Sequence, residues 1–259
     1  MSATSAVHGI VVRDLSRAFR QKSRLIGGLA RPFMWLLLVG TGYNAIARVE
    51  GVASYQVFIY PGLIVMASFF GAMLTAISTV YDREFGMLRL MLASPAGVPA
   101  ILAGRMIAAT AIGTIQGGVV LLCIPLIAPV TFMQLVSAVG ALVLGAAASS
   151  VIGLLVAAPL KSVENFAGVI NVVLFPMLFL SGALYPTDHM PSVLRTATRL
   201  NPVSYAVDLM RAALGQPSEF GAAQSILALT ATAVLLFLLT AFVFDPERRV
   251  VFRDRPFKV

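Results

Sequence analysis

The 259-residue chain is poor in what soluble enzymes are built from. Charged residues make up 12% of it, about half the share in an ordinary soluble domain. Such a chain cannot cover a water-facing surface of its own. There is one cysteine, Cys123, inside an apolar run, so no intramolecular disulfide can form. A thiolate metal centre, which needs several Cys or His together, is likewise excluded, and Cys123 reads as a small buried hydrophobe. The two histidines, His8 and His189, lie far apart, and there is no Ser/His/Asp or H-E-x-x-H arrangement. No G-x-x-x-x-G-K-[ST] loop is present, so ATP phosphates are not bound by that route. The apolar runs hold almost no ionisable side chains, which argues against an intramembrane protease and a proton-coupled carrier. Any uphill work must be powered by a partner.

What is abundant is hydrophobicity: 59% of residues, with a mean hydropathy of +0.91. Apolar runs near the bilayer-spanning length recur at about 32–47, 57–81, 99–128, 132–158, 165–184 and 221–244. They predict an all-α polytopic membrane protein of six transmembrane helices, one transmembrane domain over 1–259. Pro32 opens the first run, and Tyr60 and Tyr81 fall near the ends of the second as interfacial aromatics do.

Residues 1–31 read as a basic amphipathic helix lying in the membrane interface. Val11, Val12, Leu15, Ala18, Phe19 and Ile26 share one face, and Arg13, Arg17, Arg20 and Arg24 the other. The competing reading is a targeting segment with cleavage near Ala45-Ile46-Ala47, but the leader is long for a signal peptide.

The net charge of +8 sits in the flanks of the apolar runs, which points to orientation and anionic lipid rather than nucleic acid. Six Lys/Arg precede the first run, Arg83, Arg89 and Arg105 surround the second loop, Lys161 follows the fourth run, and five occupy the 245–259 tail. The alternate loops hold only Arg48, Arg195, Arg199 and Arg211. Both termini are therefore expected in the cytoplasm.

Two runs carry small residues every fourth position: Ala141, Gly145, Ser149 and Gly153, and Ala109, Gly113 and Gly117. Such stripes let helices approach closely in lipid. In the external segment 185–220, Pro191 starts one short amphipathic helix. Asn201-Pro202 caps and starts a second, with Asp208 and Arg211 as an i,i+3 pair and Gly215 closing its end.

The loop after the second run reads YDREFGMLRLMLASP, residues 81–95. As one cytoplasmic helix over 82–97, it has a narrow stripe of Asp82, Gly86, Arg89 and Ala93. Phe85, Met87, Leu88, Leu90, Met91 and Leu92 cover the rest. A helix this apolar outside the bilayer needs burial on more than one side, by its own spans and by the groove of a soluble partner. The competing reading is an interfacial helix with no partner.

DREFGMLRLMLASP, FPMLFLSGALYP at 175–186 and MPSVLRTATRLNPVSYAVDLMR at 190–211 resemble the membrane subunits of type-2 ABC exporters, and the likeness covers essentially the whole chain. It implies a permease, not itself an enzyme, in the plasma (inner) membrane. Two permeases, most simply a homodimer in contact with membrane lipid, would bind two copies of an ABC ATPase. That ATPase would hold ATP and Mg; no cofactor is expected in this chain. The coupling helix would contact the ATPase through Asp82, Arg83, Glu84, Phe85, Gly86, Leu88, Arg89 and Leu92. Met87 and Leu90 stand where the family often has Thr and a basic residue, which makes that contact more apolar. Tyr43, Asn44, Thr75, Ser78, Asn171 and Phe175 would line the pathway, each also readable as a helix–helix contact. Pro186, Pro191, Asn201, Pro202 and Tyr205 would belong to an external gate. The implied cargo is amphipathic or lipid-linked, drug-like or a lipo-oligosaccharide. Export of polysaccharide or teichoic acid is the alternative within the class, and a membrane scaffold or enzyme the alternative outside it.

Overall fold

The computed structural model describes residues 3–44, 54–92, 94, 96–187 and 190–244. Arg48, Ala45-Ile46-Ala47, Ala93, Pro95, His189 and the 245–259 tail therefore lie outside the described residues, as do the side chains of Arg24, Asn44 and Arg89. Every regular element among the described residues is helical.

Helix α1 (Ala3–Arg20) ends where Gln21 leaves helical geometry at φ −92°, ψ 59°. Helix α2 (Lys22–Met34), a π-helical stretch (Trp35–Gly40) and α3 (Thr41–Asn44) then form one rod. The first apolar stretch begins at Leu25, not at Pro32, and the interfacial helix stops at Arg20 instead of running to 31. Pro32 sits inside the rod rather than opening it. Membrane helices tolerate such prolines because neighbouring groups and local π adjustments satisfy the freed backbone.

The remaining elements are α4 (Tyr55–Glu84), α5 (Met87–Leu92), α6 (Gly97–Leu121), α7 (Phe132–Ala157), α8 (Val163–Phe179), α9 (Ser192–Leu200), α10 (Pro202–Ala213) and α11 (Ala222–Phe244). Among the described residues, five helical stretches are long and apolar enough to cross a membrane: Leu25–Tyr43, Tyr55–Glu84, Gly97–Leu126, Phe132–Ala157 and Ala222–Phe244. The expected fifth of six spans, α8, has 17 residues and reaches only about 25 Å, short of a hydrocarbon core of about 30 Å.

Helix α10 packs beside the end of α8. Asn201 Nδ2 donates to the Met177 carbonyl at 2.6 Å, beside the end of α8. At the other end of α10, the Ala213 and Leu214 carbonyls accept from Ser137 Oγ (3.0 Å) and Gln134 Nε2 (3.1 Å) in the first turns of α7. Between them, Ala206 packs on Gly145, about 20 Å along α7. So α10 dips into the bundle. Its Asn201 N-cap, Pro202 start and Gly215 terminus (φ +74°) are as expected.

The axis of the bundle is α4, whose side chains are buried over most of its length. Tyr60, expected at an interface, is instead 1% exposed, and its hydroxyl donates to the Val120 carbonyl at 2.5 Å. Cys123, expected to be buried, is half-buried just after α6. The small-residue stripes are the seams: a Cβ on Gly117 would lie 2.5 Å from Leu142 Cδ1 and 3.1 Å from the Ile64 carbonyl oxygen, and one on Gly153 would lie 3.1 Å from Ala76 Cβ. Gly117→Val is expected to cost about 1–3 kcal/mol by overpacking this seam. Gly118→Val, which meets nothing within 4 Å, should leave the unfolding temperature in detergent unchanged.

Candidate functional site

At one end of the bundle, three helices meet on a single carboxylate. Asp82, in the last turn of α4, is 5% exposed. Its Oδ2 accepts from Arg105 Nη2 of α6 (2.6 Å) and Arg13 Nη2 of α1 (2.8 Å), and its Oδ1 from Arg17 Nη1 (2.9 Å). Arg105 is completely buried and also donates to Thr79 Oγ1 at 2.9 Å. Arg13 donates further to Asp14 Oδ1 from Nε and Nη2. Burial works against the Arg13 charge, but Asp14 and then Asp82 outweigh it, so its pKa is raised. Each arginine here meets a carboxylate, without which its burial would be costly.

Helix α5 is tied into this cluster. The Sδ of Met91 accepts from Arg13 Nη1 at 3.3 Å and lies 3.5 Å from Arg105 Nη2. Leu88 (3% exposed) is buried with Leu102, Ala158 and Phe244, and Leu92 packs against them. On the other side, Phe85, Met87 and Leu90 are 76%, 47% and 70% exposed. One helix is thus anchored on one face and apolar and open on the opposite face.

The expected single helix over 82–97 is divided. Gly86 adopts φ +77°, a left-handed conformation that ends α4 and re-aims the chain. Asp82, Arg83 and Glu84 fall on the α4 side: Asp82 is buried, Arg83 half-buried and Glu84 exposed. Arg83 donates to carbonyls of the α7–α8 link, Ala158 and Leu160 (3.0 Å) among them, and lies over the Phe244 ring at 5.0 Å. Glu84 Oε2 accepts from the Val163 N–H at 3.0 Å, in the first turn of α8. The charges that precede Gly86 satisfy neighbouring helix ends. Leu88, Leu92 and the backbone of Arg89 lie in α5, while Phe85 caps the end of α4 beside it.

The expected pathway residues divide into groups. Thr75 and Ser78 are buried in α4 and line a small cavity with Asp14, Arg17 and Gln21. Phe175 is half-exposed and meets Phe179 (6.4 Å), which meets Trp35 of the π-helical stretch edge-on (6.3 Å), so α8 touches the first rod. Asn171 donates to its own helix at the Ala167 carbonyl (3.0 Å). Toward the opposite end, Tyr43 stacks on Tyr55 (5.3 Å), Tyr55 on Phe58 (6.1 Å), and Arg211 lies over Phe58 (4.3 Å). Asn44 closes α3.

Of the expected gate residues, Asn201, Pro202 and Tyr205 share the α9–α10 corner, where the Tyr205 hydroxyl donates to the Arg199 carbonyl at 2.7 Å. Pro191 is the N-cap of α9, and Pro186 is half-buried in the turn after α8. The expected Asp208–Arg211 pair does not form. Asp208 is buried and accepts from the Glu219 and Phe220 N–H groups and from Ser225 Oγ, while Arg211 donates to the Gly182 carbonyl at 2.6 Å. The unpaired amides ahead of α11 claim the carboxylate. Sequence reasoning missed the Asp82 cluster. Its signal was an acid and a base, Asp82 and Arg105, at the facing ends of two adjacent apolar runs.

Five helices of bilayer length among the described residues, with a short apolar helix open at a charged end, mark a polytopic membrane protein. The family model for "ABC-2 type transporter" matches residues 6–214, and the chain belongs to that family. It is similar to nodulation protein J of Rhizobium leguminosarum bv. trifolii, 29% identical over 196 residues that cover 74% of this chain and 75% of that protein. It is also similar to the ycf38 transport permeases of Cyanophora paradoxa (30% over 208 residues, 78% and 71%) and Pyropia yezoensis (27% over 223 residues, 80% and 73%). Members of this family are membrane subunits that work with an ABC ATPase and are not enzymes themselves.

Proposed function

We propose that this chain is the permease of an ABC exporter of the plasma (inner) membrane, with α5 as the helix through which ATP hydrolysis acts. The observation that carries this reading is the two-faced α5. Phe85, Met87 and Leu90 offer an apolar surface to a soluble groove, and Met91 rests on the arginines that join α1, α4 and α6. A push on α5 is thereby delivered to three helices at once, which is a physical route for coupling free energy between sites.

In this reading α8 counts as a sixth span completed by α10, both termini are cytoplasmic, and two identical permeases bind two ATPases that hold the ATP and Mg. The one transmembrane domain carries its coupling helix at 87–92 and its external helices within 185–220. Tyr43, Thr75, Ser78, Phe175 and the α9–α10 corner belong to the route and its outer gate. The cargo is amphipathic or lipid-linked, drug-like or a lipo-oligosaccharide, leaving the cytoplasmic side. The short links between the helices favour this over polysaccharide export.

The test is reconstitution with the cognate ATPase in liposomes carrying a fluorescent amphipath. ATP-dependent movement of the probe is expected, and Arg89→Glu, a charge reversal within the α5 sequence, should abolish it while the protein stays inserted. Unchanged transport by that variant contradicts the assignment of α5.

A further inference from the structure

The first bilayer-length stretch, Leu25–Tyr43, carries an arginine within it, Arg31. Its guanidinium lies over the Phe70 ring of α4, 4.6 Å from the centroid. Phe70 is at the middle of α4, about 18 Å along the helix from Asp82 and about 22 Å from Tyr55. The charge is thus held near the centre of a hydrocarbon core of about 30 Å, not at a headgroup level. An arginine does not escape the cost by losing its proton. The ring face attracts the cation but brings no charge and no acceptor oxygen of its own.

Among the described residues, no carboxylate pairs with Arg31. Those of the described helices are placed elsewhere. Asp14 and Asp82 belong to the arginine cluster, and Glu84 and Glu164 stand in the terminal turns of α4 and α8. Asp208 is taken by Glu219, Phe220 and Ser225. A second copy of these helices brings the same carboxylates at the same levels. An ionisable side chain at this depth is costly unless an opposite charge meets it. Arg31 is exposed, so that charge can come from a ligand.

The surroundings describe the rest of the ligand. Pro32 follows Arg31, and the π-helical stretch Trp35–Gly40 begins four residues on, an irregularity frequent at functional positions. Trp35, one turn from Arg31 on the same face, meets Phe179 of α8. Phe179 and its neighbour Phe175 are 39% and 42% exposed. A cation beside open aromatic rings suits a molecule with an anionic head and an apolar body.

We infer that Arg31 receives the anionic head, a phosphate, sulfate or carboxylate, of the amphipath this permease moves, with Trp35, Phe175 and Phe179 against its apolar body. This rests on the exporter reading above and narrows its cargo, since a cationic amphipath would meet a like charge at mid-depth. The planar fork of the guanidinium matches such a head with two parallel hydrogen bonds.

The full chain is placed in phosphatidylcholine nanodiscs without an ATPase. Binding is measured for two fluorescent probes of the same alkyl chain, one ending in a sulfate and one in a trimethylammonium. The wild type should bind the sulfate about tenfold tighter or more, the scale of one charge-assisted hydrogen bond. Arg31→Gln should bring the ratio to parity, and Arg31→Lys should keep part of the preference. Arg20→Gln, which removes an exposed arginine at the end of α1, should leave the ratio unchanged. Parity in the wild type overturns the inference, as does an unchanged ratio in Arg31→Gln or an equal fall in Arg20→Gln. Discs of equimolar phosphatidylcholine and phosphatidylglycerol, read by native mass spectrometry, separate cargo from resident lipid. Wild type and Arg31→Gln should retain phosphatidylglycerol alike, and its loss in the variant assigns Arg31 to membrane lipid and overturns the inference. If Arg31→Gln does not accumulate, a diazirine beside the sulfate decides on the wild type: label on the peptide holding Arg31 supports the site, and label only elsewhere contradicts it. With the ATPase added, transport of both probes without preference for the sulfate defeats this inference alone, whereas transport of neither defeats the exporter reading.

Discussion

Asp82→Asn is expected to destabilise the detergent-solubilised protein by about 3–5 kcal/mol, the usual cost of removing one partner from a buried charge cluster. The loss should fall unequally on its three arginines. The side chains of Arg13 and Arg17 are each about a third exposed, so they can turn toward water. Arg105 has no exposed area and cannot, and among the described residues its other oxygen partner is Thr79 Oγ1. Adding Arg105→Met to Asp82→Asn should therefore recover much of the stability, whereas adding Arg17→Met should recover little. Thermal unfolding of Asp82→Asn, of Arg105→Met and Arg17→Met alone, and of the two double variants, treated as two double-mutant cycles, reads this directly. Equal recovery by both second changes contradicts a buried Arg105–Asp82 core. Salt should leave the Arg105 contribution unmoved and weaken that of Arg17, since only the latter is reached by solvent.

Phe85→Asp is expected to weaken association with the ATPase by about 2 kcal/mol or more, roughly 30-fold, and to remove ATP-driven transport. The side chain is 76% exposed and supports no other part of the fold, apart from a stacking contact with Tyr81 at 6.1 Å. The variant should insert and unfold as the wild type does. Leu90→Asp, at 70% exposure on α5 just after it, should behave alike. Leu88→Asp should not: Leu88 is 3% exposed in an apolar cluster, and a carboxylate there should lower stability itself. Parallel measurement of inserted protein and ATPase retention separates the two outcomes. Gly86→Val tests the aim of the helix. At φ +77° a β-branched residue is strained, so α5 would be re-aimed and coupling lost with its apolar surface intact.

Much of this could be read from the chain. Run lengths gave the long helices, four-residue spacing of small residues gave the seams of α6 and α7 with α4 and with each other, and Asn201-Pro202 gave the start of α10. Each is a local rule that lipid and water enforce without help from distant residues. What stayed hidden depended on tertiary partners. Asp82 looked like part of a partner-facing stripe because helical periodicity ran on through Gly86; only its φ shows that the helix stops. Arg105 looked like a flanking charge because nothing local says that Asp82 and Arg13 will surround it. Asp208 and Arg211 had pairing spacing, but nearby backbone groups were the better partners. The short α8 was masked because the apolar run continues into the turn through Leu184, which is packed in the core although it is not helical.

The central claim is that α5 is the surface the ATPase touches. The lone thiol makes it directly testable: in a Cys123→Ser background, Leu90→Cys is labelled with a benzophenone maleimide and the assembled transporter is irradiated. The account predicts cross-linking of Leu90→Cys to the ATPase and none from Val119→Cys, which is exposed on the far part of α6. Cross-linking from position 119 and not from position 90 would contradict it.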